Sequence, residues 1–287
     1  MNGFINLFKP SGVSSAYILN GLKRILKGET VGHMGTLDPL ACGVLPIAIG
    51  KSTRLFDYLL DKKKEYVAEV TFGYETDTLD LEGQVVKTSE HIPTFTEVEA
   101  ALKNLIGEVL QVPPAFSAKC VNGKRSYALA RKGNIVELPP KKVNIFDIDI
   151  IEYKDNKFKI KIVCGGGTYV RSIVRDLGVL CSSCATMTYL ERTASGIFKV
   201  EDSVTLDELK NSDNLESYII KPQDALDFPI LNLTESEANR LYNGLYDNFD
   251  FEDGTYKVFE PNGFYGVGEL RGGKLKVKAY IRDDKNS

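Results

Sequence analysis

The chain has 287 residues, 36 of them Lys or Arg and 39 Asp or Glu, for a formal net charge of −3. Its 43% hydrophobic and 26% charged residues are ordinary globular usage, which excludes wholesale disorder. The length fits one large domain, or a large one with a small companion.

Residues 14–26 are predicted to form a helix, with Ser14 or Ser15 as cap, Ile18, Leu22, Ile25 and Leu26 on one face, and Gly28 as stop. Residues 43–50 are an apolar run between glycines, read as a buried strand, and 53–60 read as helical. Residues 65–72 alternate, with Tyr66, Ala68, Val70 and Phe72 on one side, as a half-buried strand does. A helix is expected over 96–106, capped by Thr96 and stopped by Gly107. Pro113-Pro114 and Pro139-Pro140 bracket a segment set apart from the regular core. Strands over 143–152 and 157–164 are split by the turn-like Lys154-Asp155-Asn156, and Gly165-Gly166-Gly167 leads into a helix over 168–180. Beyond Asp224 come a strand, a capped helix over 234–242 and several short strands. Gly272-Gly273 is a two-residue hairpin signal between 265–270 and 275–281. The pattern is a mixed α+β domain followed by a small, mainly β module.

The near-neutral net charge speaks against a nucleic-acid partner, but the sum hides a split. Residues 1–200 carry 26 basic against 21 acidic residues, a net of +5, and residues 201–287 carry 10 against 18, a net of −8. The surplus peaks between 117 and 142, where Lys119, Lys124, Arg125, Arg131, Lys132, Lys141 and Lys142 face the single acid Glu137. Such asymmetry points to a polyanion partner for the first part and not for the tail, although an ordinary solvated surface accounts for the charge equally well.

The N-terminus has no basic stretch followed by a long apolar one, so no secretory signal is expected. No apolar run approaches the roughly 18–20 residues that span a bilayer. The five cysteines are odd in number and scattered, which suits a reducing cytosol. Cys181-Ser-Ser-Cys184 lacks the second pair of ligands that a zinc site needs, His33 and His91 being far apart, and reads as packing.

The densest segment runs from Gly32 to Gly43, Gly-His-Met-Gly-Thr-Leu-Asp-Pro-Leu-Ala-Cys-Gly. It describes a tightly folded loop whose backbone can approach a ligand closely. Asp38 is the only acid between Thr30 and Thr53, and in such apolar company it needs a cationic partner or its pKa rises. Spacing alone favours a plainer role as a turn-forming Asp-Pro. Arg171, just after the glycine loop, is the candidate partner that would hold Asp38 ionised; a surface Arg or an anion site at a helix start fits the same residues. Tyr66, after Lys62-Lys63-Lys64, suits stacking on a nucleobase as well as a half-buried core position. The acids over 76–83 lack calcium-loop spacing and read as an acidic turn.

Lys9-Pro10-Ser11-Gly12-Val13-Ser14-Ser15, followed by Gly32-His33-Met34-Gly35-Thr36-Leu37-Asp38-Pro39, closely resembles the bacterial tRNA pseudouridine synthase B family, the tRNA pseudouridine-55 synthases. So do Thr76-Asp77-Thr78-Leu79-Asp80, Pro113-Pro114-Ala115-Phe116-Ser117-Ala118-Lys119 and the segment from Gly165 to Arg171. The five motifs are collinear over about residues 3–200, which makes the match far more specific than any one of them.

The resemblance implies an α+β catalytic fold over residues 1–226, a mixed, largely antiparallel central sheet with flanking helices, and a small, mainly β, PUA-like domain over 227–287. It implies isomerisation of uridine to pseudouridine at position 55, in the T-arm loop of tRNA, by base flipping and aspartate covalent catalysis. Asp38 would be the nucleophile, Tyr66 would stack on the target base and help move its proton, and Arg171 would pair with Asp38. Leu190 matches an active-site apolar position. His33 would lie against the RNA and help keep its loop open, and Lys9 and Tyr169 belong to motifs at the substrate. An insertion at about 114–142 would clamp the T-arm, with Arg125 and Arg131 on phosphates.

The implied reaction breaks N1–C1′ and makes C5–C1′ within one nucleotide. It needs no redox partner, so no cofactor is implied, and the sequence has neither G-x-G-x-x-G nor a P-loop. A carboxylate is a fitting covalent handle while the base turns, whether it attacks C6 of the base or C1′ of the ribose. The expected partner is tRNA, with no membrane or protein partner, for a monomer in the cytoplasm. Rival readings are a non-catalytic RNA-binding or tRNA-folding protein on the same scaffold, a pseudouridine synthase with another RNA target, and an aspartate-nucleophile hydrolase. The last needs a metal loop or a second carboxylate near Asp38, which the neighbouring sequence does not supply.

Overall fold

The computed structural model describes all residues except 60–61, 118–119, 122–123, 126–137, 155, 246–247 and 283–287, with backbone alone at 120–121 and 124–125. The chain opens with β1 (Gly3–Lys9), helix α1 (Ser15–Ile25), β2 (Val31–His33) and β3 (Cys42–Ile49), then a 3-10 turn over Gly50–Leu55 and the short α2 (Phe56–Leu59). Next are β4 (Lys64–Phe72), the hairpin β5 (Tyr74–Thr76) and β6 (Val85–Thr88), α3 (Phe95–Lys103), β7 (Gly107–Gln111) and the two-residue strands β8 (Cys120–Val121) and β9 (Lys124–Arg125). The long hairpin β10 (Lys141–Lys154) and β11 (Lys157–Cys164) leads to α4 (Val170–Leu180), β12 (Ala185–Ser195), β13 (Phe198–Lys199) and α5 (Leu206–Lys210). The C-terminal part holds β14 (Ile230–Asn232), α6 (Glu235–Tyr242), β15 (Gly254–Glu260), β16 (Gly263–Arg271) and β17 (Lys274–Tyr280).

Among the described residues one large sheet has the order β1-β3-β12-β4-β11-β10-β7, with β2 added to β3 and β13 to β12. Its pairings are antiparallel except β3 with β12, which run parallel through Glu191–Cys42 and Arg192–Gly43. The sheet is therefore mixed and largely antiparallel, as the resemblance implied. Every residue of β3 is buried, which explains its unbroken apolar run. The alternation of β4 turns Tyr66, Ala68, Val70 and Phe72 to the face covered by Val98 and Leu102 of α3 and by Ile173, Val174 and Leu177 of α4. At about 1.5–3 kcal/mol for each large apolar side chain removed from water, this layer holds the helices on the sheet.

The C-terminal strands form a separate four-stranded sheet, with its own core from Leu231, Leu241, Val258, Tyr265, Leu270 and Leu275. Its last hairpin turns on Gly272 and Gly273 at φ 55° and 76°, the positive pair that a two-residue turn needs. Val267, Ala279 and Ile281 pack this sheet against Phe4, Val44 and Ala48.

Local expectations needed two corrections, and one hairpin was not foreseen. Helix α3 is capped by Thr94: Glu97 N–H donates to Thr94 Oγ1, and Thr94 N–H donates to Glu97 Oε2 at 2.7 Å. This reciprocal box places Thr96 inside the first turn. Of the stretch expected to be helical, 53–55 end the 3-10 turn and 56–59 form α2, while the glycine loop extends to Tyr169, so α4 begins at Val170. The acidic turn over 76–83 is the tip of the β5–β6 hairpin, which the sequence pattern did not suggest. No described helix is long and apolar enough to cross a membrane.

Candidate active site

Residues 34–41 connect β2 to β3 and carry Asp38. The segment bends at Gly35 and at Pro39, and residues Lys9 to Ser15 support its backbone from behind. Lys9 Nζ donates to the carbonyl oxygens of Pro10, Pro39 and Ala41 at 2.9, 3.2 and 2.5 Å. Ser15 Oγ accepts from Leu37 N–H and donates to Leu37 C=O, both at 2.9 Å, and Ser11 Oγ donates to Leu40 C=O at 2.6 Å. Lys9 is fully buried. It stands behind the loop, with its three donors spent on backbone carbonyls.

Arg171, in the first turn of α4, is 4% exposed. Its Nη2 lies 2.8 Å from Asp38 Oδ2 and donates to Phe116 C=O at 3.0 Å; its Nη1 donates to Thr78 C=O at 2.9 Å and lies 3.5 Å from Asp80 Oδ2. Asp80 is buried and takes further hydrogen bonds from Thr78 Oγ1 at 2.6 Å and Glu82 N–H at 3.0 Å. The sequence near Asp38 holds no second carboxylate, but the β5–β6 hairpin delivers one. Two anions thus share one buried guanidinium. Burial pushes the Asp38 carboxyl above the usual carboxylate range, Arg171 pulls it back and Asp80 adds to the rise, for a net upward shift. Arg171 therefore offsets only part of the desolvation.

A cavity of about 400 Å³ opens beside Asp38, lined also by Tyr66, Leu190, Tyr169, Lys64 and Arg192. That volume is within the range of small-ligand sites, roughly 300–1,000 Å³. Tyr66 and Leu190 come from the neighbouring strands β4 and β12 and are 7% and 5% exposed. Burial pushes the Tyr66 phenol up, and the adjacent Arg192 guanidinium, hydrogen-bonded to it, opposes the rise. Arg192 is itself buried, donating from Nε to Val44 C=O at 2.7 Å and from Nη2 to Gly35 C=O at 3.1 Å. The backbone of Tyr169 is fixed by Gln111, which donates to its carbonyl at 3.1 Å and accepts from its N–H at 2.8 Å. A second cavity, of about 590 Å³, lies on the other side of Asp38 and is lined by His33, Pro39, Asp77, Asp80 and Glu82.

Asp38, Tyr66, Tyr169, Arg171 and Leu190 are thus brought together around one cavity, and His33 faces the other. Arg125 has only its backbone described, in β9, and Arg131 lies outside the described residues. Asp80, Lys64 and Arg192 were not singled out from the sequence. Two had a legible signal: Lys64 and Arg192 stand two residues from Tyr66 and Leu190, on the same faces of their strands.

Residues 23–170 match the N-terminal domain of the TruB family of pseudouridylate synthases, and residues 171–227 match the tRNA pseudouridylate synthase B C-terminal domain. The chain belongs to the TruB family of pseudouridine synthases. It is 36% identical over 290 residues to a tRNA pseudouridine synthase B of Francisella philomiragia, covering 99% of this chain and 96% of the relative. Against that of Caldanaerobacter subterraneus the identity is 36% over 285 residues, covering 97% and 98%. Among solved structures, a chain from an H/ACA RNP bound to a substrate RNA containing 2′-deoxyuridine shares the TruB-family fold. Its TM-score is 0.72 at 22% identity, covering 99% of this chain and 86% of that one. As a TruB-family member the protein is an enzyme, a pseudouridine synthase, and the cavity beside Asp38 is its candidate active site.

Proposed function

We propose that the protein isomerises uridine 55 in the T-arm loop of tRNA to pseudouridine, with Asp38 as the nucleophile. The observation that carries this reading is the 2.8 Å Arg171–Asp38 pair, whose carboxylate opens on a cavity walled by Tyr66 and Leu190. The tRNA substrate is supported by the relatives, which are named tRNA pseudouridine synthase B.

In this mechanism the uridine is flipped out of its stack at a cost of a few kcal/mol. Contact with the Tyr66 ring and Leu190 offsets part of it, a base–aromatic stack being worth about 1–3 kcal/mol. Arg171 occupies Oδ2 of Asp38, leaving Oδ1 to bond to C6 of the base or C1′ of the ribose. The N1–C1′ bond breaks, the base turns within the cavity, and C5 bonds to C1′. C5 then loses a proton, N1 gains one and Asp38 is released, with no electrons exchanged. The Tyr66 hydroxyl, polarised by Arg192, is the group that moves the C5 proton.

The same proposal assigns residues 1–226 to catalysis, with a T-arm clamp at about 114–142 carrying Arg125 and Arg131, and 227–287 to a small PUA-like domain. The separate core of the second sheet supports that division. Action as a monomer in the cytoplasm belongs to the same reading.

The test uses a T-arm stem-loop labelled with tritium at C5 of the target uridine. Wild type should release tritium, while Asp38→Asn should release none and bind the RNA as tightly. Release by the variant overturns the nucleophile assignment.

A further inference from the structure

The cavities flanking Asp38 carry opposite charge. The one with Tyr66 and Leu190 has Lys64 and Lys141 in its wall, and the other has Asp77, Asp80 and Glu82. Lys141, at the start of β10, is exposed and has no carboxylate partner among the described residues, whereas Lys142 pairs with Glu108 at 2.7 Å. The Lys141 ammonium lies over Gly167, 2.7 Å from where a Cβ at 167 would stand, and Gly167 has φ +78°. The positive φ disfavours a side chain there, and glycine leaves the turn open toward the amine. Lys63, next to Lys64 in the chain, carries a further ammonium. Its ammonium stands 4.7 Å from the centre of the exposed Phe146 ring, and Phe146 in turn lies against Gly165.

We propose that the rim formed by Lys141 and Gly167 is a phosphate subsite. It holds a phosphodiester adjacent to the flipped nucleotide and so fixes the direction in which the RNA strand passes the cavity. This rests on the RNA-modifying function proposed above. A flipped nucleotide leaves its flanking phosphates at the pocket mouth. On the acidic side a phosphate meets three carboxylates; on the other it meets the exposed Lys141 ammonium, a point charge suited to a solvated phosphate.

The test combines Lys141→Ala and Lys141→Arg with a set of stem-loops, each carrying one neutral methylphosphonate at a phosphate flanking the target uridine. Lys141 is exposed, so both variants should fold. One methylphosphonate should weaken binding to wild type and to Lys141→Arg, yet leave binding to Lys141→Ala unchanged. The salt dependence of Lys141→Ala binding should be shallower by about 0.7 in logarithmic slope, the share of one phosphate on a single strand. Losses that simply add for every methylphosphonate, or an unchanged slope, overturn the subsite. If wild type fails to convert the unmodified stem-loop, the functional reading itself falls; conversion with additive losses removes the subsite alone.

Discussion

Arg171 holds Asp38 from a sealed position: its side chain is 5% exposed and that of Asp38 36%, with Nη2 2.8 Å from Oδ2. The cation is therefore sealed in the fold while the anion faces the cavity. Arg171→Met should strand two carboxylates and two carbonyls and cost about 3–5 kcal/mol in urea unfolding, with no measurable turnover. Arg171→Lys keeps the charge but cannot bridge Asp38, Asp80, Thr78 and Phe116 together. It should fold, with kcat lowered about 100-fold or more.

Asp38 is raised above the usual carboxylate range by burial and Asp80, against Arg171. Through that window the folded chain holds a proton that the unfolded chain has lost, so this group's contribution to stability falls as pH rises. Asp38→Asn should match or exceed wild type in thermal stability at neutral pH, with the gap closing in acid. A wild type more stable than the variant at neutral pH would contradict the assignment. The acid limb of the wild-type kcat profile should likewise lie above the ordinary carboxylate range.

Burial lowers Lys9 from its ordinary 10.5 to about 8. Between those values the unfolded chain keeps a proton that the folded chain has shed, so stability rises with pH across the window. Lys9→Met removes this dependence and leaves the carbonyls of Pro10, Pro39 and Ala41 without their donor, at about 3 kcal/mol in total. Urea midpoints for both proteins below, within and above the window test this; a constant difference would refute it.

Tyr66→Phe keeps the ring and removes the hydroxyl beside Arg192. RNA affinity should be unchanged while single-turnover kcat drops at least about 100-fold, the lower range for a lost proton-transfer group. A loss confined to binding would assign Tyr66 to stacking alone.

Neutralising Lys124, Arg125 and Arg131 together should reduce the salt slope of tRNA binding by about two, at roughly 0.7 per phosphate contact. An unchanged slope removes the clamp.

The fold was legible wherever a local pattern decided it. The caps and apolar stripe of α1, the β10–β11 hairpin and the Gly272-Gly273 turn all depend on neighbours within a few residues. The pairing of Asp38 with Arg171 was reachable because two glycine loops and the family resemblance marked both ends. Asp80 was not: in sequence a buried carboxylate looks like any acid in a turn, and only the β5–β6 hairpin brings it to Arg171. Lys9 was legible as part of a motif but not in its direction, since burial of an ammonium on three carbonyls leaves no periodic trace. Thr94 and Thr96 differ as caps only through Glu97, three residues after the first.

The parallel contact between β3 and β12 has a bearing on the order of synthesis. The Arg192 backbone passes 2.3 Å from where a Cβ on Gly43 would stand, and its guanidinium reaches Val44 C=O across 148 residues of sequence. The loop bearing Asp38 therefore receives its last support from a strand translated long after it. A nascent chain that has not yet released β12 has every residue of that loop but lacks Leu190 and Arg192, two residues of the cavity wall.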